Sequence, residues 1–102
     1  MILFDKLKDD VEYLKTCKDR FEASKILKKY SFLAKDKEFP IRLQEAYGNC
    51  KSICITALLN EINVLYLLLI SNNNLYQDNF KEQMEDIIST INAVISLKDI
   101  KM

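Results

Sequence analysis

Three cysteines, at positions 17, 50 and 54, are the first residues of this chain to test for chemistry. Cys50 and Cys54 are four apart and share a face if the segment is helical. A structural zinc site needs four ligands drawn mainly from Cys and His. The chain has no histidine, and Cys17 is the only further thiol. Two thiols one turn apart on one helix are also poorly placed to close a disulfide. The pair therefore reads as small apolar core residues, with redox sensing as the minor alternative. An odd cysteine count with no disulfide framework points to a reducing compartment, and the cytoplasm is the expectation.

Glu61 is the next candidate, a carboxylate set among Val64, Leu65 and Leu68. A buried carboxyl with a raised pKa can act as a general acid or base. No histidine and no second acid at a fixed spacing accompany it, so ion pairing with a Lys or Arg is the favoured role. A single glycine leaves no room for phosphate loops or nucleophile elbows. The expectation is a non-enzyme that holds no metal and no cofactor.

Residues 15–37 carry eight basic and three acidic side chains. Lys18, Lys25, Lys28, Lys29 and Tyr30 form the candidate nucleic-acid face, with ammonium groups for phosphates and an aromatic ring for stacking. Phe32 lies close by. The competing reading is a solvated face whose Lys stems cover the core edge. It is supported by a formal net charge of zero, from 15 basic and 15 acidic residues. The acids Asp78, Glu82, Glu85 and Asp86 could also neutralise this segment within or between chains.

The elements that must position these groups follow from the apolar spacing. One domain is expected for 102 residues, burying roughly two-thirds of its unfolded surface. Half the residues are hydrophobic, and one Gly and one Pro leave almost no turn signals, so the class is all-α. The spacing predicts a small four-helix bundle with helices near 2–16, 19–35, 40–70 and 78–97, the third long and central. Whether 2–35 is one helix or two is open. Pro40 suits the first turn of the third helix. Gly48, inside it, marks a kink or a close helix crossing.

Residues 53–70 are apolar apart from Thr56, Asn60, Glu61 and Asn63. Eighteen such residues could nearly span a bilayer. Glu61 at the centre would cost about 2.5–3.5 kcal/mol there. The flanks carry few anchoring charges, so a covered core helix is favoured over a membrane span. The N-terminus shows no signal-peptide pattern. Arg42, Glu45, Asn49, Ser52, Thr56, Asn60 and Asn63 fall on one polar stripe, read as a solvent edge or a polar seam. Beyond residue 63, Leu67 and Ile70 replace it, which implies cover all round the helix end by the bundle or by a second copy. Asn60, Asn63, Leu67 and Ile70 are therefore the candidate interface. The favoured function is a protein–protein interaction module, expected as a homodimer, such as an inhibitor, an immunity or anti-defence factor, or an assembly subunit of bacterial or viral type. A nucleic-acid-associated subunit is the alternative, and a membrane-inserted protein comes third.

Overall fold

The computed structural model describes residues 6–71 and 80–99. It is all-α, with five helices and no strand among those residues: α1 (Leu7–Thr16), α2 (Arg20–Lys35), α3 (Phe39–Tyr47), α4 (Asn49–Ile70) and α5 (Phe80–Asp99). The expected four-helix layout is corrected by one element, because the third helix is two.

Residues 7–35 form two helices. After Leu14 the chain turns extended at Cys17, and Asp19 restarts it as an N-cap. The Asp19 carboxylate accepts from the Glu22 N–H at 2.8 Å, and Glu22 accepts from the Lys18 N–H at 3.1 Å. Both bonds satisfy donors that a helix start and its approach would otherwise leave unpaired.

Gly48 separates α3 from α4 with φ 86° and ψ 173°, a conformation essentially restricted to glycine. The backbone resets its phase there, so Arg42 and Glu45 belong to a different helix from Asn49 onward. The single polar stripe also fails within α4 itself, where Ser52 and Asn60 stand about 80° apart around the helix and Ser52 is buried while Asn60 is exposed. An added Cβ at Gly48 would meet nothing within 4 Å, so the strain is purely conformational. Gly48→Ala is expected to cost about 1–3 kcal/mol in urea unfolding. A neutral substitution would mean that the elbow relaxes freely.

One core joins all five helices. It takes Leu7, Val11 and Leu14 from α1, Ala23, Leu27 and Tyr30 from α2, and Phe39 and Leu43 from α3. Ile55, Leu59, Ile62 and Leu69 of α4 meet Met84, Ile87, Ile91 and Val94 of α5. Helix α4 packs against α2, α3 and α5, while α1 rests chiefly on α5. Cross-links fix the ends: Lys51 Nζ donates to the Lys98 carbonyl at 3.3 Å, and Arg20 donates to Gln83 Oε1 at 3.0 Å. These contacts set α5 antiparallel to α4 and start it beside the beginning of α2.

Candidate interaction surfaces

Helix α4 is apolar on two opposite sides, and the bundle covers one. Its inward stripe is Ser52, Ile55, Leu59, Ile62, Tyr66 and Leu69, spaced three and four apart. The residues two positions earlier, Ile53, Ala57, Asn60, Val64 and Leu67, repeat the same spacing about 200° around the helix. Ile53, Val64 and Leu67 are 70%, 55% and 47% exposed, with Leu68 and Ile70 beside them also open. This overturns the expectation of a helix covered on nearly every side. Three helices cannot enclose a fourth when all of them lie in the same half-turn around it.

The candidate interface residues divide accordingly. Asn60 is exposed on the open stripe, and Leu67 and Ile70 are about half exposed beside it. Asn63 lies between the two stripes, and its Oδ1 is buried with no hydrogen-bond partner. An amide acceptor shut away from water without a donor carries a desolvation penalty. Glu61 is exposed on the open side and joins no ion pair among the described residues. The ion-pair role is therefore corrected, as is burial. Cys50 and Cys54 are also exposed, not core, because the Gly48 elbow rotates that face of α4 outward.

Where α3 meets α4, Pro40, Ile41, Ile53, Thr56 and their polar neighbours line an open groove of about 340 Å³. Gln44 donates to Asn49 Oδ1 across its floor. Ile53 thus belongs both to the groove and to the open stripe. Ile41, 56% exposed, extends that apolar surface onto α3.

The basic segment loses two of its five expected members. Tyr30 is fully buried, and its hydroxyl donates to Asp10 Oδ2 at 2.6 Å. Lys29 Nζ sits 2.6 Å from the same oxygen. Both residues pin α1 to α2: Tyr30 is closed to a nucleic acid, and Lys29, although 37% exposed, is already paired. The cause is the phase of α2: Ala23, Leu27 and Tyr30 form its inward stripe, and Tyr30 needs a buried acceptor that Asp10 supplies. Lys18, Lys25 and Lys28 remain exposed. Two aromatic residues that the candidate face omitted lie on the same outer side: Phe21, 69% exposed, and Phe32, 64% exposed. Their spacing with Lys25 and Lys28, four, three and four, was the available signal.

Burial, and then the Asp10 acceptor, push the Tyr30 phenol above its ordinary 10.0. The unfolded chain releases this proton near pH 10 and the folded chain keeps it. Stability is therefore complete below pH 10 and declines as pH rises beyond it. Between about pH 9.5 and 11 the urea midpoint of the wild type should fall more steeply than that of Tyr30→Phe. Parallel slopes would mean that the phenol is not held neutral by the fold.

Burial, with the nearby Glu22 and Asp19 carboxylates, pushes the Cys17 thiol up and makes it a poor nucleophile. No group of three or more His, Cys, Asp or Glu side chains is arranged to hold a metal ion among the described residues. By length and composition α4 could cross a membrane, with a mean hydropathy of 2.0 over a window of which 22% is buried in the fold. Compared with known proteins, the chain matches no family model, no curated protein and no solved structure.

Proposed function

We infer that this chain is a non-enzymatic interaction module, and that the open side of α4 is its contact with a second copy. The observation that carries the reading is the outward stripe Ile53, Ala57, Asn60, Val64 and Leu67. An alternation of four and three is the pattern by which one helix seats against another. A bilayer imposes no such stripe, and it would enclose Asn60 and Glu61 without partners. Ala57 permits close backbone approach at mid-helix, and the paired Asn60 amides suit a register-fixing position. The unmet Asn63 acceptor lies at the edge of the same seam. Two copies bring no net repulsion, since the formal charge is zero. Three free thiols fit a reducing compartment such as the cytoplasm. A dimer joined this way leaves the outer faces of α2 and α5 for a further partner, as an inhibitor or assembly subunit requires.

The test is the solution mass of the detergent-free chain, with Val64→Glu plus Leu67→Glu as the disrupting variant. A dimer that becomes a folded monomer supports the reading. A wild-type monomer at 100 µM, or a chain soluble only in detergent, overturns it.

A further inference from the structure

The outer face of α2 bears a stripe that the core does not use and the dimer seam does not reach. Phe21, Lys25, Lys28, Phe32 and Lys35 recur every four and three residues on the side opposite Ala23, Leu27 and Tyr30. The two phenyl rings are about two-thirds exposed and lie eleven residues apart, about 16 Å along the helix. Lys25 Nζ stands 4.6 Å from the centre of the Phe21 ring, and Lys28 Nζ stands 5.8 Å from that of Phe32.

No ion pair involves Lys25, Lys28 or Lys35 among the described residues. The closest acids in sequence are already engaged: Asp19 caps α2, Glu22 holds the Lys18 N–H, and Asp36 pairs with Arg42 at 2.7 Å. Asp10 is buried with Lys29 and Tyr30. The stripe is therefore cationic with two apolar tips.

We propose that this face of α2 docks on an anionic lipid surface, with Phe21 and Phe32 entering the headgroup boundary and Lys25, Lys28 and Lys35 contacting lipid phosphates. Charge complementarity selects an anionic partner, and the shape of the face selects a lipid surface over a nucleic-acid strand. Single strands bind in grooves and stack bases on open ring faces. Here the stripe is the convex outside of a helix, and an ammonium group already covers one face of each ring. Phenyl tips and flexible Lys stems suit a soft interface, where the rings insert and the charges rise to phosphate level. Each Lys near an anionic surface contributes a separate electrostatic increment that salt screens.

The experiment is sedimentation of the full chain with vesicles of phosphatidylglycerol and phosphatidylcholine, against pure phosphatidylcholine. Two double variants accompany it, Lys25→Glu with Lys28→Glu and Phe21→Ser with Phe32→Ser. All four sites are exposed, and circular dichroism checks that helicity is retained. Binding should require the anionic lipid, disappear at high salt, and weaken at least tenfold in each variant. Equal binding to pure phosphatidylcholine, unaffected by the Lys changes, would assign membrane contact to α4 and overturn the proposal. Absence of vesicle binding overturns it as well, and retention of a labelled oligothymidylate in that case would assign the stripe to nucleic acid. The Val64→Glu, Leu67→Glu variant should bind vesicles with its lysines intact, so failure of the dimer leaves this result readable on its own.

Discussion

Val64→Glu with Leu67→Glu should halve the solution mass, from twice the 11.9 kDa chain to the chain itself, with helicity unchanged. The expectation rests on where those side chains stand. Both are about half exposed in the isolated fold, so a carboxylate at either position can reach water. In a two-fold dimer the same positions lie inside the seam, and four new charges would be buried without partners. An uncompensated buried charge costs several kcal/mol, so association should weaken by about three orders of magnitude or more. The contrasting substitution is Leu59→Glu, 1% exposed on the inward stripe, which should unfold the monomer. If both variants unfold alike, the two sides of α4 are equally internal and the open stripe carries no interface.

The second large effect belongs to Asp10. Its carboxylate is 5% exposed and its Oδ2 receives both the Tyr30 hydroxyl and the Lys29 ammonium. Asp10→Ala removes the acceptor while leaving a buried phenol and a half-buried charge behind. Loss of one partner from such a network costs more than the pair itself contributes, here about 2–4 kcal/mol. Asp10→Asn should cost less, because the amide oxygen still accepts from Tyr30. Lys29→Met should cost under about 1 kcal/mol, since that side chain is 37% exposed and its pair is screened. Urea midpoints for the three variants give the order directly. An Asp10→Ala cost below that of Lys29→Met would mean that apolar packing on α5 alone holds α1 in place.

The helices were readable because most of them have a single apolar stripe. Leu7, Val11 and Leu14 are spaced as a buried face must be, and Met84, Ile87, Ile91 and Val94 likewise, and all of them reached the core. The all-α class followed from the same spacing and from the shortage of glycine and proline. The break before residue 20 was signalled only by the change of phase of the apolar stripe, which left one helix or two undecided, and the Asp19 cap that makes the restart was not read. The Gly48 elbow was half legible: one glycine inside an apolar run signals a bend, but not that the bend resets the helical phase. That reset moved Cys50 and Cys54 outward. Residues 72–79, with the polar run Asn72–Asn74 that would stop α4 and the Asp78 that would cap α5, lie outside the described residues, and Ser71 is the C-cap of α4.

The surfaces were harder to read because apolar residues outnumber the places the bundle can hide them. From sequence, Tyr30 beside Lys28 and Lys29 suggested a nucleic-acid platform. Its placement depends on which side of α2 faces inward, and that was settled by a partner twenty residues away, Asp10. Phe21 and Phe32 showed the opposite outcome: both large aromatic residues stand in solvent on the outer side of α2.

The two apolar sides of α4 also give this chain a problem of choice while it folds. Turning the helix by about 200° exchanges the stripe that begins at Ile55 with the one that begins at Ile53, and both offer branched hydrophobic groups at equal intervals. What separates them is volume and polarity at two central places: Ala57 and Asn60 on one side, Leu59 and Ile62 on the other. The native orientation is therefore selected in the middle two turns, where Leu59 and Ile62 bury apolar groups and the inverted helix would bury a small Ala57 and an unpaired Asn60 amide instead.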